Sequence, residues 1–418
     1  MPNSYKNIAI CSNCIGDEFL KRIVETNCTA HLCHECGAVS ANAIELEALG
    51  KLMEPIIRDN FALGESVRQF SEDDHDWWEQ EGEPLQCIVQ EVLGQYFSCE
   101  NEIVSAICHA EEVWPPNGEE PFFDTTASYV QSDIRLSDYY TKWHELLDEI
   151  KHKRRFFSPS AQSLFTLLFD GVENVRSINK ERSAFESVIT EISVGHVFYR
   201  ARICDRDKNL VDFYTDPLKH VGPPPNHLAS AGRMNAEGVS VFYGAFDVET
   251  SIAEVRPVIG DSSVVIELET TLPLRLLDFT RLETATSSKS LSYFQADFKM
   301  QVEKHAFLRR LHSLISQPIL QTKSADYLIT QTMAEYLAHV HNVKFDGVIF
   351  ASVQKQNGKN VVIFPNTSSY EVANFGFPLK YVDDSIKLFS THSVKYTNKK
   401  HHVSVTDGTP YIHFDVDE

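Results

Sequence analysis

The chain has 418 residues, 43% hydrophobic and 11% aromatic, which is enough for two or three globular domains. It contains no run of about 18 apolar residues that would span a membrane. Its first residues also lack the basic region and long apolar core of a signal peptide. We therefore expect a cytoplasmic protein with no membrane partner.

The negative charge is concentrated in the first half of the chain. Residues 1–190 carry 15 Lys and Arg against 33 Asp and Glu, and the rest carries 23 against 26, which together give the net charge of −21. A strongly acidic surface opposes binding to a phosphate backbone, so we expect no nucleic-acid partner. Solubility alone explains such a surface, and a basic protein partner is the alternative.

Four of the nine cysteines form two Cys-x-x-Cys pairs near the N-terminus. The pairs are Cys11 with Cys14 and Cys33 with Cys36. Their separation is typical of a four-thiolate zinc site, for which His34 and Cys28 are spare ligands. Four thiolates leave no open position for catalysis, so the zinc would be structural. A disulfide pair, which a reducing compartment disfavours, and incidental free thiols are the alternatives.

Helical periodicity dominates residues 41–190. Ser40 is a suitable N-cap, and apolar side chains at helical spacing predict a helix over residues 41–61, which Pro55 should kink or divide. Further helices are predicted over residues 85–93, 139–150 and 161–189. We therefore predict a zinc knuckle in residues 1–40 and a mainly helical domain in residues 41–190.

After residue 190 the chain alternates predicted strands and helices. A strand is predicted over residues 239–242, and helices over residues 249–255 and 326–341. Asp407-Gly408 lies between two short runs of strand-like composition and predicts a hairpin. The expected domains are an α+β domain in residues 191–370 and a C-terminal β tail in residues 371–418.

Five polar residues stand in or beside these elements: Arg200, Arg233, Tyr243, Glu254 and Ser352. The middle three are ten and eleven residues apart, so a strand and an adjoining helix could hold them around one pocket. Ordinary structural roles are the alternative: a solvated loop charge for Arg233, a core aromatic for Tyr243 and a turn residue for Ser352. Arg202 and Arg256 could replace either arginine.

The segments around these residues resemble the RES domain, a family named for its arginine, glutamate and serine. The segments are FYRAR at 198–202, GRMN at 232–235, VFYGA at 241–245, TSIAEVR at 250–256 and FDGVIFAS at 345–352. The resemblance in order and spacing extends from about Val194 to about Phe364. Members of the family are NAD-degrading toxins with a fold related to mono-ADP-ribosyltransferases, so the resemblance implies that fold and NAD as the substrate.

The resemblance implies a role for each of the five residues. Arg200 and Arg233 would grip the pyrophosphate, because guanidinium groups form charge-assisted hydrogen bonds with phosphate oxygens. Glu254 would hold the ribose hydroxyls and stabilise an oxocarbenium-like sugar. Tyr243 would orient the nicotinamide ribose, and Ser352 would hydrogen-bond the ring amide or a phosphate. The implied catalytic residues are Arg200, Tyr243, Glu254 and Ser352, and the implied substrate-binding residues are Arg200, Arg233, Tyr243 and Ser352.

The first half resembles the helical domain that precedes RES in some proteins and is grouped with HEPN domains, some of which are RNases. Those RNases use an arginine and a histidine a few residues apart, a spacing found here only for Arg68 and His75 within residues 1–190. Acidic residues flank His75, so we expect no RNase site. The sequence also lacks Gly-x-Gly, Gly-Lys-Ser/Thr and His-Glu-x-x-His, which disfavours hydride transfer, ATP hydrolysis and zinc proteolysis.

Together these features predict an α+β protein with a mainly helical N-terminal domain that holds a four-cysteine zinc knuckle. An α+β, ADP-ribosyltransferase-like RES domain would follow and cleave the nicotinamide–ribose bond of NAD, as a glycohydrolase or phosphorylase. Such an enzyme would be a toxin or defence effector with an antitoxin or regulatory protein as partner. One alternative is an ADP-ribosyltransferase that modifies a macromolecule, and another is a zinc-dependent interaction protein with an inactive RES domain.

Overall fold

The protein is α+β, as the sequence predicts. The computed structural model describes residues 5–27, 29–69, 77–111, 121–134, 136–155, 157–179, 184–287, 291–316, 327–365, 376–395, 402–406 and 409–413. The chain forms two compact units. The first consists of Met1–Trp143, Asn174–Arg176 and Ala285–Arg309, and the second of His144–Glu173, Ser177–Thr284 and Arg310–Glu418. Within the described ranges, none of the helices has the length and apolar character needed to cross a bilayer.

The elements up to residue 152 are mostly short. The strands are β1 (Ala9–Cys11), β2 (Thr29–Leu32), β3 (Val39–Glu45), β4 (Phe61–Leu63), β5 (Ser66–Gln69), β6 (Trp77–Gln80), β7 (Glu83–Pro84) and β8 (Ser128–Gln131). The helices are α1 (Glu18–Asn27), α2 (Leu46–Asn60), α3 (Leu85–Leu93), α4 (Glu100–Ala110) and α5 (Ser137–His152).

The remaining elements are richer in strands. They are β9 (Val175–Asn179), β10 (Ala184–Ser187), β11 (Ile189–Ile192), β12 (Val197–Cys204), β13 (Phe242–Ala245), β14 (Ser262–Thr270), β15 (Leu274–Asp278), β16 (Ala285–Ser287), β17 (Gly347–Ala351), β18 (Lys359–Ile363), β19 (Leu379–Tyr381), β20 (Lys387–Ser390), β21 (His402–Thr406) and β22 (Thr409–His413). The helices are α6 (Pro159–Phe169), α7 (Leu210–Thr215), α8 (Pro217–Val221), α9 (Val248–Glu254), α10 (Phe279–Leu282), α11 (Phe298–Ser316) and α12 (Leu328–Glu335), which a π-helical turn extends over Tyr336–Val340.

The core of the first unit lies between α2 and α4. Leu46, Leu49, Met53 and Ile57 follow one face of α2 and are fully buried. Gly50 lies on the α4 side of this helix, where an added Cβ would come within 2.7 Å of the Ala106 backbone. Only glycine therefore permits the two helices to pack this closely.

Two helix predictions in the first half are wrong at one end. The predicted helix over residues 41–61 begins only at Leu46, because Val39–Glu45 pairs with β1 and β2 as the central strand of a small antiparallel sheet. Pro55 lies inside α2 without dividing it. The predicted helix over residues 161–189 ends at Phe169, just before Gly171 adopts a φ of +74°.

The other helix predictions agree with the structure. Leu85–Leu93 is α3 as predicted, and Gly94 ends it in the left-handed conformation. The predicted residues 139–150 lie within α5, and residues 249–255 correspond to α9 one position earlier. The predicted helix that starts at residue 326 is α12 and its π-helical extension, with Asp326 itself outside the described residues.

A large, mostly antiparallel sheet organises the second unit. In the described part of the chain its strand order is β11-β15-β17-β18-β13-β12-β14-β19, with β20 paired to the first residues of β14, and β15 and β17 run parallel. The buried strand predicted at residues 239–242 lies three positions later, at Phe242–Ala245, between β12 and β18, so the prediction has the wrong bounds. This position brings three segments from distant parts of the sequence side by side.

The C-terminal tail contains the predicted hairpin. His402–Thr406 pairs antiparallel with Thr409–His413, and the predicted turn residues Asp407 and Gly408 lie outside the described residues. The compact units are discontinuous in sequence, whereas the predicted domains are continuous segments. The boundaries of those domains stay a prediction.

Candidate functional site

A cavity of about 310 Å3 lies at the centre of the second unit. Its walls come from β12, β13, the C-terminal end of α9 and the loop over residues 229–235, with Phe350 and Asn360 contributed by β17 and β18. Its volume falls within the range of small-molecule sites, roughly 300–1,000 Å3. Arg200, Tyr243 and Glu254 all line it.

Glu254 is the last residue of α9, and its carboxylate is held in place from two sides. Its Oε1 accepts hydrogen bonds from Ser352 Oγ at 2.6 Å and from Asn360 Nδ2 at 2.8 Å. Asp247 fixes the other end of α9 by accepting a hydrogen bond from the Thr250 N–H at 2.8 Å. Of the residues that line the cavity, Glu254 is the only carboxylate. The structure thus presents one oriented anion to the cavity.

Ser352 acts on the cavity through Glu254. Its hydroxyl donates to the carboxylate and accepts from the main-chain N–H groups of Gln354 and Lys355, each at 3.1 Å. It follows β17, whose last residue pairs with the first residue of β18. The structure therefore brings Ser352 next to Glu254, but Ser352 is absent from the walls of the cavity itself.

Tyr243 on β13 supports the loop that carries Arg233. Its hydroxyl donates to Asn235 Oδ1 at 2.9 Å and accepts from the Met234 N–H at 2.9 Å. Burial raises the pKa of Tyr243 to about 12, so the phenol stays protonated. A Cβ on Gly232 would lie 2.7 Å from the Tyr243 hydroxyl, which explains the glycine. The tyrosine thus shapes one wall of the cavity through the loop.

Arg200 is almost entirely buried, with 4% of its surface exposed. Its Nε donates to the Val221 carbonyl at 2.7 Å, and its Nη1 donates to the Tyr243 carbonyl. Burial lowers the pKa of Arg200, and the neighbouring Arg202 adds to that effect. Two of its donor groups therefore join β12 to β13 and to the last residue of α8.

Arg233 lies beside Phe350, with its guanidinium carbon 5.9 Å from the ring centroid. Burial lowers its pKa, while the negative charge of Glu254 acts in the opposite direction. Helix α12 holds its loop from behind. Thr330 donates to the Arg233 carbonyl, and Gln331 donates to the carbonyls of Gly232 and Asn235, both at 2.8 Å.

Two residues that the sequence did not single out as site residues also line the cavity. Asn360 is 4% exposed, and its Oδ1 has no hydrogen-bond partner among the described residues. Asn235 lines the cavity, and its Oδ1 accepts a hydrogen bond from the Tyr243 hydroxyl. Its position in the segment Gly-Arg-x-Asn, next to the candidate Arg233, could have marked Asn235 as a site residue from the sequence alone. Asn360 is 106 residues from Glu254, and only the pairing of β18 with β13 and β17 brings it there.

The four predicted metal ligands lie together in the first unit. The Sγ atoms of Cys11, Cys14, Cys33 and Cys36 are all within 4.8 Å of one another. The separations are 3.6 Å for Cys11–Cys14, 3.8 Å for Cys11–Cys36 and 3.9 Å for Cys14–Cys33. Four sulfurs at 2.3 Å around a tetrahedral zinc would be about 3.8 Å apart, so the geometry fits such an ion.

Cys33 is the most acidic thiol of this group. Burial acts to raise its pKa, but hydrogen bonds from the main-chain N–H groups of Cys11 and Cys36 outweigh that effect and lower the pKa to about 6. The Cys11 N–H is 3.3 Å from Cys33 Sγ. Amide groups that point at a sulfur stabilise the thiolate, which is the form that binds a metal. The group could therefore hold a metal ion.

Comparison with known proteins finds one family similarity, which lies in the second unit. The family model described as RES domain matches residues 197–379, from the start of β12 to the first residue of β19. These residues are therefore similar to a RES domain. No curated protein and no solved structure matches this chain. The predicted HEPN-type N-terminal domain has no support from a family match and stays a prediction.

The RES domain contains all five residues that the resemblance singled out. Arg200, Tyr243 and Glu254 line one cavity, Ser352 contacts it through Glu254, and Arg233 borders it beside Phe350. No two of them are neighbours in sequence. The RES match is consistent with an NAD-related toxin in general terms, and the roles of the individual residues belong to the proposal below.

Proposed function

We propose that the RES domain cleaves the bond between nicotinamide and ribose in NAD. The observation that supports it best is the Glu254 carboxylate, oriented by Ser352 and Asn360 in a cavity whose other charged residues are arginines. One fixed anion among cations suits a substrate with an anionic pyrophosphate at one end and a sugar that becomes cationic at the other. Positioned charge of this kind is effective in a site that excludes water.

The reaction divides between Glu254 and the arginines. The C–N bond breaks, its electron pair leaves with the nicotinamide nitrogen, and positive charge develops on the ribose. Water, which loses a proton, or phosphate then bonds to the same ribose carbon and gives the product. Glu254 stabilises that charge and accepts hydrogen bonds from the ribose hydroxyls. The unpartnered Oδ1 of Asn360 fits a further hydroxyl donor. Nicotinamide leaves as a neutral base, so the step needs no general acid.

We also propose that the cysteine cluster holds a structural zinc ion in the N-terminal unit. Its sulfur separations suit a tetrahedral ion, and four thiolates would complete the coordination. Zinc would stabilise the fold around β1 and β3 and take no part in the chemistry. In a toxin or defence effector, this unit is a reasonable target for an antitoxin or regulatory protein.

The decisive experiment is an incubation of purified protein with NAD, followed by chromatography of the products. Nicotinamide should be released together with ADP-ribose, or with ADP-ribose phosphate when phosphate is the acceptor. A protein that releases nicotinamide only when a macromolecule becomes ADP-ribosylated is a transferase instead. If a folded, metal-loaded protein releases no nicotinamide under any of these conditions, the proposed function is wrong.

A further inference from the structure

We propose that Arg202, together with Arg233, binds the phosphate groups of the substrate, while Arg200 is a structural brace. This inference rests on the proposed function, because it names the residue that recognises the anionic part of the nucleotide. Arg200 and Arg202 lie two positions apart on β12 and therefore point to the same face of the sheet. Both line the cavity that contains Glu254.

The two arginines differ in what their guanidinium groups already contact. Arg200 donates to the main-chain carbonyls of Val221 and Tyr243, so two of its three nitrogens are engaged within the fold. Its side chain is almost completely enclosed. A group in this position stabilises the junction of β12 with β13, and reaching a ligand would require breaking bonds that hold the cavity wall.

Arg202 has no such engagement. Within the described ranges of the chain, its guanidinium forms neither a hydrogen bond nor an ion pair. Burial alone lowers its pKa, since no nearby carboxylate opposes that effect. The side chain is partly exposed, and Arg202 is one of the residues that line the cavity.

A largely buried cation without an anionic partner is unfavourable unless a ligand supplies one. Glu254 does not fill that role: the hydrogen bonds that orient it come from Ser352 and Asn360, and within the described residues it forms no ion pair with Arg202. A phosphate or pyrophosphate offers oxygens for two parallel N–H bonds, the arrangement that guanidinium groups favour. The structure therefore assigns Arg202 to an anionic, phosphate-bearing substrate.

The test compares two substrates that contain the same scissile bond, NAD and nicotinamide riboside, which has no phosphate. We expect Arg202→Gln to raise the KM for NAD by roughly 10- to 100-fold, the loss typical of one charged hydrogen-bond donor. Turnover of nicotinamide riboside should stay at the wild-type level. Arg202→Lys should recover part of the affinity, because it restores the charge without the planar fork.

Arg275→Gln is the matched control, since it removes an arginine from β15 that pairs with Glu191 at 3.6 Å and does not line the cavity. It should leave both substrates unaffected. Equal losses for NAD and nicotinamide riboside in Arg202→Gln would show that Arg202 supports the fold, and unchanged kinetics with NAD would also overturn the assignment.

Calorimetric binding of ADP-ribose separates this inference from the proposed reaction. If the wild type binds ADP-ribose but releases no nicotinamide, the proposed reaction is refuted. The role of Arg202 in phosphate binding can still be tested by ADP-ribose binding. Weaker ADP-ribose binding by Arg202→Gln than by Arg275→Gln would then support the site. Equal binding by the two variants would refute it, as would a wild-type protein that binds no ADP-ribose.

Discussion

The cysteine cluster and the RES cavity bring polar groups together by different physical means. The cluster gathers four like groups whose sulfurs lie 3.6–3.9 Å apart in the closest pairs, with one pKa lowered to about 6. The cavity gathers unlike groups, arginines and one carboxylate, of which Arg200 and Glu254 are held by hydrogen bonds to their own neighbours. The cluster could hold a metal ion at its centre, whereas the cavity already presents its charges to a ligand.

Because of this difference, we expect substitutions in the cysteine cluster to affect stability and substitutions in the cavity to affect activity. Metal binding and folding are coupled when the ligands come from a small region with little core of its own. The cavity lies against a large sheet whose core is formed by apolar residues, so single polar changes there should alter binding or catalysis more than folding. The predictions below test that contrast, from the largest expected effect to the smallest.

The largest effect should follow removal of one thiol from the cluster. Cys33→Ser should lose the metal, about one equivalent per chain in the wild type, and unfold the region around β1 to β3, because binding free energy there is folding free energy. Elemental analysis and hydrogen exchange would measure both. Cys87→Ser, at an exposed thiol outside the cluster, should change neither. A metal-free wild type with native exchange protection in this region would contradict the prediction.

Glu254→Gln should reduce turnover of NAD by about 100- to 1,000-fold, with ADP-ribose binding little changed. Glutamine keeps the shape of the side chain but removes the charge that stabilises the cationic ribose. Single-turnover kinetics would measure the change. The control is Glu249→Gln, since Glu249 lies on the same helix but does not line the cavity. A Glu254→Gln protein with wild-type turnover would end this view of the site.

Arg233→Ala should weaken NAD binding by about 1.5–3 kcal/mol, the contribution of a hydrogen bond to a charged group. The increase should appear mainly in KM, because the phosphate contact is present both in the bound substrate and in the transition state. Steady-state kinetics with NAD and nicotinamide riboside would measure it. Similar losses with both substrates would mean that Arg233 maintains the loop.

Tyr243→Phe should destabilise the second unit by about 1–3 kcal/mol, because the buried Met234 N–H and Asn235 Oδ1 lose their partner. Chemical denaturation would measure the change. Tyr381→Phe is the control, since Tyr381 is a partly buried core residue for which no hydroxyl bond occurs in the described part of the chain. Equal stability of Tyr243→Phe and wild type would show that the loop keeps its conformation without the Tyr243 hydroxyl.

The smallest expected effect concerns the N-cap of α9. Burial acts to raise the pKa of Asp247, but Lys355 at 2.7 Å and Thr250 outweigh it and lower the pKa. The folded state therefore gains stability above the unfolded pKa of about 3.9, and loses it as the pH falls further. Asp247→Asn should flatten the decline in stability below about pH 4. An identical pH profile in the two proteins would contradict this.

Local patterns were sufficient where neighbouring residues decide the structure. The helix Leu85–Leu93, with Gly94 to end it, follows from apolar spacing and a glycine that tolerates positive φ. The prediction over residues 41–61 was wrong at its start, because Val39–Glu45 gains more from pairing with two strands than from joining the helix. Helix propensity is a weak preference that such pairing overrides.

The sequence by itself determined the cysteine cluster, since four thiols within residues 11–36 can meet through two short knuckles. It also determined the RES resemblance, because the five motifs occur along the chain in the order and at the spacing of that family. Only the tertiary structure decided which arginine is engaged: on β12, Arg200 donates to main-chain carbonyls, whereas Arg202 forms no hydrogen bond within the described residues. Asn360 depends on strand pairing in the same way. The reason is physical: burial and hydrogen-bond partners are set by segments far apart in sequence.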